Sequence, residues 1–306
     1  AAADGAPVRL WGREPELVEA INATHENALF LPDVQLSPQV EATTDLGWVA
    51  QAQVNLVVTP AQHVRAVLAQ LPDHGQPLIL CAKGIEAGTH KFTHEVAREV
   101  VPWAPLAVLS GPTFAHEVAA GLPTAVTLAA QDEALARSLA GLIARPTLRP
   151  YISTDVVGAE IGGSVKNVLA IACGVVEGAG LGQNARAALI ARGFAEMTRF
   201  GMAMGARAET LAGLSGLGDL VLTCSSTSSR NYSLGRGLGE GQRAAALMAD
   251  RRTVAEGAFT APVLREVAHA RGIEMPIVEA VCALLAGTQS VDDVTEALLA
   301  RPLKAE

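Results

Sequence analysis

An α/β domain built on a parallel sheet, followed by an all-helical domain, is the architecture this 306-residue sequence predicts. Three observations lead there. Half of the residues are hydrophobic, enough to build a sizeable core and too many for a disordered chain. In the first half, short continuous apolar runs alternate with helix-period segments, the pattern of buried parallel strands and their covering helices. After Ser153 the strand-like runs nearly vanish, and Ala- and Leu-rich segments take over. Length itself favours two domains, since single cores stop growing near roughly 250–300 residues. The division falls at 1–153 and 154–306, with the boundary running directly into a long helix.

Val8–Trp11 reads as the first strand, and 14–24 as a helix entered on an acidic turn. A strand over 55–59 is stopped by Pro60. The helix over 61–71 places Val64, Val67, Leu68 and Leu71 on one face of a 3.6-residue repeat. A strand over 78–82, a helix over 92–101 and a strand over 106–109 follow. Further strands over 125–128 and 148–152 flank a helix at Glu133–Ile143. In the second half, helices are expected over 155–176, 185–204, 253–271, 276–286 and 291–300. Asp155 and Asp292 stand where they favour helix N-termini.

The chain carries 23 basic and 31 acidic side chains, a formal charge of −8. That excludes a general nucleic-acid binder, which needs many Lys and Arg contacts to phosphate. A small anionic substrate, held by a few local cations, remains open. No membrane span is expected, because the longest charge-free stretch, 46–64, holds Gln51, Gln53, Asn55, Pro60, Gln62 and His63. Cys81, Cys173, Cys224 and Cys282 are dispersed, with no C-x-x-C pair, and read as reduced core residues of a cytoplasmic protein. His90 and His94 are spaced i, i+4 but lack a third ligand, so we read a solvated helix start and expect no metal. The serine-rich run 225–229 contains no nucleophile elbow.

Ligands of open parallel sheets bind beyond the carboxyl ends of the strands. Three strand ends here carry candidate residues. Arg13 follows Val8–Trp11 and suits a ribose 2′-phosphate, whereas Glu14 beside it suits a 2′-hydroxyl, so both stay open. In Lys83-Gly84-Ile85-Glu86 a lysine at a strand terminus, beside a glycine turn, can reach a substrate oxygen or phosphate. Ser110-Gly111-Pro112-Thr113-Phe114-Ala115 is a tight turn exposing backbone N–H groups and a hydroxyl. In the helical half, Lys166 and Asn167 interrupt an otherwise apolar helix. A buried ammonium gives up its proton more readily and becomes useful in proton transfer. Further on stand Gly216-Leu217-Gly218-Asp219-Leu220-Val221 and then Ser229-Arg230-Asn231, and in the latter serine, arginine and asparagine in succession offer several donors, as a phosphate requires.

Taken in this order, with Leu10-Trp11-Gly12-Arg13 before them and Glu256-Gly257 after, these segments resemble the bacterial NAD(P)-dependent glycerol-3-phosphate dehydrogenases. The resemblance runs through nearly the whole chain. It implies a Rossmann-type dinucleotide-binding domain, then a helical domain similar to that of 6-phosphogluconate dehydrogenase. It also implies reversible hydride transfer between NAD(P)H and dihydroxyacetone phosphate, giving sn-glycerol 3-phosphate for glycerophospholipid synthesis. Lys166 would be the general acid and base, with Lys83 and Asp219 beside it. Lys83, Gly111, Thr113, Asp219, Ser229, Arg230 and Asn231 would line the substrate. Arg13, Lys83, Ala115, Arg230, Val254 and Glu256 would touch NADP or NAD, with NADPH favoured. A cytoplasmic homodimer is the implied assembly. The family's opening strand and G-x-G-x-x-G turn do not precede Val8; either the sequence in hand is incomplete at that end or the protein lacks its pyrophosphate cradle, and we expect the former. Two other readings stand beside it: a related keto-acid reductase, and a non-catalytic nucleotide-binding protein. The Ser229-Arg230-Asn231 cluster argues against the first, and Lys83, Lys166 and Asp219 argue against the second.

Overall fold

In the computed structural model, which describes residues 5–249 and 255–302, the chain opens on a βαβ unit. β1 (Val8–Trp11) leads into α1 (Pro15–Thr24), where Pro15 occupies a first-turn position that needs no N–H donor. A hairpin of β2 (Glu26–Asn27) and β3 (Leu31–Gln35) follows, then β4 (Val40–Thr43), which pairs parallel with β1 from Val8↔Val40 to Trp11↔Thr43. The hairpin and β4 go beyond the expected strands. Pro32, Asp33, Ser37 and Pro38 interrupt the apolar run that would have announced them.

After α2 (Leu46–Ala50), capped by Asp45, comes a five-stranded sheet in the order β5 (Asn55–Val57), β6 (Leu78–Leu80), β7 (Leu106–Ser110), β8 (Thr124–Ala129), β9 (Leu148–Ser153). β5, β6 and β7 are parallel, with Asn55, Leu78 and Leu106 in register. A 3₁₀ turn (Ala61–His63) and α3 (Val64–Leu68) replace the single longer helix expected over 61–71. α4 (Thr93–Val100) lies between β6 and β7, α5 (Ala115–Ala119) between β7 and β8, and α6 (Glu133–Ile143) between β8 and β9. β8 runs antiparallel to β7, and β9 is parallel to β8. The connection explains the reversal. A helix of 5 residues such as α5 advances only about 7.5 Å. A strand as long as β7 covers roughly 17 Å, so the chain turns back instead of crossing the sheet.

Among the described residues the second half is all-helical, as expected. Its axis is α7 (Val156–Gly178). Asp155 caps it, accepting from Gly158 N at 2.9 Å and tying in Arg207 N at 2.8 Å. α7 is long and apolar enough to cross a membrane, yet 94% of its apolar stretch is buried inside the fold, which makes it the central rod of a core. Around it lie α8 (Gly182–Ala203), α9 (Ala208–Leu211), a π turn (Leu214–Gly218), α10 (Asp219–Thr223), α11 (Arg230–Gly239) and α12 (Ala244–Leu247). α13 (Glu256–Ala270), α14 (Pro276–Ala286) and α15 (Val291–Leu299) complete the layer. α7 and α11 touch backbone to backbone: a Cβ on Gly174 would stand 2.0 Å from Tyr232 O, and one on Gly235 only 1.9 Å from Ile171 O. The helical core also takes in Ile85 and Phe92 from the first half. All four cysteines are free; Cys173, Cys224 and Cys282 are buried and Cys81 is half-buried.

Candidate active site

The carboxyl ends of β6 and β7 meet the middle of α7, and three charged side chains converge there. Lys83 follows β6, Lys166 projects from α7, and Asp219 opens α10 where the π turn hands over to it. The Asp219 carboxylate, 0% exposed, accepts from Lys83 Nζ at 2.7 Å on Oδ2 and from Lys166 Nζ at 2.5 Å on Oδ1. Lys83 Nζ also donates to Gly111 O at 3.2 Å, and the Thr113 hydroxyl donates to the same oxygen at 3.3 Å. Lys166 donates to Thr223 Oγ1 at 2.9 Å, and that hydroxyl donates to Asp219 O, one turn back, at 2.6 Å.

Two ammonium groups on one carboxylate leave this buried cluster with an excess of positive charge. Burial, and next the charge of Lys83, push the Lys166 ammonium down to about 7 against the pull of Asp219. A group poised there can give or take a proton near neutrality. The glycines before Lys166 make the assembly possible. A Cβ on Gly162 would stand 2.1 Å from Ser215 O of the π turn, and one on Gly163 would meet Ser110 Oγ at 3.0 Å and Lys83 Cγ at 3.1 Å.

α11 supplies a second group. Ser229 caps that helix, its Oγ accepting from Tyr232 N at 3.2 Å. Asn231 is a buried strut: Nδ2 donates to Asn167 Oδ1 at 3.0 Å, and Oδ1 accepts from Gly257 N at 2.9 Å. Arg230 and Glu256 line a cavity of about 810 Å³ together with Pro60, Gln62, Phe259 and Thr260. Burial raises the Glu256 carboxyl above its ordinary range; the Ala61 N–H, 3.3 Å away, opposes this. Ala115 begins α5. Arg13 joins neither group. It is exposed and pairs with Glu14 at 2.8 Å, so the two competing ribose signatures neutralise each other. Val254 lies outside the described residues.

Sequence reasoning missed Thr223, although its i, i+4 spacing from Asp219 places the two on one helical face. It also misread His94. α4 starts at Thr93, so His90 sits in a loop and meets Glu266 at 2.9 Å. His94, expected at a solvated helix start, is buried against Glu160 of α7, whose carboxylate draws the ring inward. Glu160 itself carries no sequence signal.

Two further hydroxyls bear on ligand fit. Thr59 Oγ1, two residues beyond β5, and Ser110 Oγ, at the end of β7, are buried without a partner. With β6 between them they flank Lys83 along the carboxyl edge of the sheet. Buried hydroxyls left unpaired are costly. A polar ligand at this edge would satisfy them. The donors and the adjoining cavity fit a nicotinamide nucleotide beside a phosphorylated substrate.

Family models described as the N-terminus and C-terminus of NAD-dependent glycerol-3-phosphate dehydrogenase match residues 1–136 and 155–296. Glycerol-3-phosphate dehydrogenase (NAD(P)+) 1 of Sphingopyxis alaskensis is 63% identical over 305 residues, covering 100% of this chain and 92% of the relative. The Novosphingobium aromaticivorans enzyme is 63% identical over 306 residues, with the same coverage of 100% and 92%. Among solved structures, glycerol-3-phosphate dehydrogenase from Coxiella burnetii superposes with a TM-score of 0.93 at 36% identity, over 98% of this chain and 93% of that one. The Saccharomyces cerevisiae enzyme gives 0.80 at 27% identity, over 95% and 89%.

Proposed function

The chain belongs to the NAD-dependent glycerol-3-phosphate dehydrogenase family, and from that premise we propose that Lys166 is the general acid and base of its reaction. The reaction is the reversible, NAD(P)-dependent reduction of dihydroxyacetone phosphate to glycerol 3-phosphate. The observation that carries the role of Lys166 is its pairing, with Lys83, on the single buried carboxylate of Asp219. NAD(P)H, when bound, supplies the hydride for the carbonyl carbon. Lys166 meets the charge that grows on the C2 oxygen and donates the proton that turns it into a hydroxyl. In the reverse direction its neutral amine takes that proton back. A positioned acid of this kind contributes about 10²–10⁴ in rate.

The other side chains bind and orient. Asp219 and Thr223 hold the Lys166 Nζ in place, and Lys83 adds a second cation at the reacting end. Arg230 and Lys83 supply charge for the substrate phosphate, with Gly111, Thr113, Ser229 and Asn231 completing the lining. Lys83, Ala115, Arg230, Val254 and Glu256 hold the nucleotide, and Arg13, once it leaves its pairing with Glu14, takes the ribose 2′-phosphate that makes NADPH the favoured form. We set the domain boundary at 153/154, where β9 gives way to α7. The protein acts as a cytoplasmic homodimer feeding glycerophospholipid synthesis.

Steady-state NADPH oxidation with dihydroxyacetone phosphate tests this reading. Lys166→Ala is expected to lower kcat by about 10²–10⁴ while leaving nucleotide affinity near that of the parent. An unchanged kcat would overturn the assignment. Equal kcat/KM for dihydroxyacetone phosphate and its non-phosphorylated ketone would favour a keto-acid reductase instead.

A further inference from the structure

We propose that Glu160 is a positioning residue: its carboxylate braces the helix carrying Lys166 against the loop carrying Lys83. It thereby sets the spacing at which the two ammonium groups share Asp219. Glu160 lies on α7, less than two turns before Lys166, and is 3% exposed. Its Oε1 accepts from Thr93 Oγ1 at 2.5 Å and from His94 N at 2.9 Å, and its Oε2 meets His94 Nδ1. One carboxylate thus collects three partners at the first turn of α4. A buried carboxylate is very costly to leave unpaired, so this grip is a stiff one. Burial disfavours a charged His94, yet Glu160 outweighs it and raises the ring's pKa, which keeps the ion pair in place. The other charges acting on the ring are Glu95 and Arg98 of its own helix.

From α4 to Lys83 the path is short and has no slack. Phe92, immediately before Thr93, forms an antiparallel bridge with Ile85, and Glu86 N donates to Lys91 O at 2.9 Å. Ile85 is 0% exposed. Gly84, between it and Lys83, is seated so closely that a Cβ would stand 2.7 Å from Ala61 Cβ and 3.3 Å from Thr260 Oγ1. A shift of α4 relative to α7 therefore passes through Phe92, Ile85 and Gly84 to Lys83. Both lysines are referred to the same carboxylate, Lys166 through its own helix and Lys83 through this loop.

The inference rests on the reading of Lys83 as a site cation, and a double-mutant cycle separates the two. The kcat/KM for dihydroxyacetone phosphate is measured for the parent, Lys83→Ala, Glu160→Ala and the double variant. Misplacing a catalytic group by an ångström can cost 10²-fold. Glu160→Ala is expected to lower kcat/KM by about tenfold or more in the parent background, and by less than about twofold once Lys83 is gone. A purely structural role would give the same fold-loss in both backgrounds, and that result overturns the brace alone. Lys83→Ala with unchanged kcat/KM would refute the site reading and the brace together. Should Glu160→Ala fail to fold, Thr93→Val removes one of the three contacts, and the same cycle is run with it.

Discussion

Lys166 is pulled two ways, by burial and Lys83 toward the neutral amine and by Asp219 toward the ammonium. The balance near 7 has a direct kinetic consequence. Reduction needs the protonated form, so kcat/KM for dihydroxyacetone phosphate should fall as pH rises through about 7. Oxidation of glycerol 3-phosphate needs the neutral form, so its kcat/KM should climb over the same interval. Rate profiles recorded in both directions check this; limbs of the same sign would refute it. Asp219→Asn removes the group that favours the ammonium and leaves Lys83 and Lys166 to repel each other. Its reduction limb should therefore move to lower pH, with kcat reduced. Lys166 was legible because an ammonium stands out between Val165 and Val168 in an apolar helix. Thr223 was not, since a threonine after Leu220, Val221 and Leu222 reads as ordinary helix filling. Glu160 was invisible for another reason: its partners Thr93 and His94 are 67 and 66 residues away, and no local pattern joins them.

Element packing turns on the seam between α7 and α11. Gly174→Ala or Gly235→Ala would place a methyl inside the distance at which the partner's carbonyl already sits, so the helices must part. Overpacking of this kind costs about 1–3 kcal/mol, which a lower urea midpoint would register. Because α11 begins at Arg230 and Asn231, the KM for dihydroxyacetone phosphate should rise with it. An alanine scan, ordinarily a subtraction, is an addition along this seam. β5 and β6 could be read from sequence because each is a continuous apolar run followed by a helical period, and β7 because its apolar run stops at the Ser110-Gly111-Pro112 turn. The reversal at β8 could not, since it turns on α5, whose five residues are too few to show a helical repeat. The short helices between 208 and 247 escaped too: Gly- and Ser-rich segments sustain no repeat long enough to show a face.

Across the whole molecule, a formal charge of −8 surrounds a site that carries two lysines to one aspartate, with Arg230 in the neighbouring cavity. The two-domain outline was readable from the change in texture at Ser153. How the halves grip each other was not, because Ile85 and Phe92 enter the helical core from a loop that, in sequence, belongs to the sheet. The ratio of charges at the site bears on folding as well as on catalysis. Two ammonium groups on the one carboxylate of Asp219 leave a positive excess that works against the folded state, and an anionic ligand bound only by the folded chain shifts the unfolding equilibrium toward it. Millimolar inorganic phosphate should therefore raise the melting temperature more than chloride at equal ionic strength, and Lys83→Ala should lose most of that increment. Calorimetry with the two salts checks it, and an equal rise in both proteins would refute it. The reactant, on this account, supplies the remainder of a counter-charge that Asp219 provides only in part.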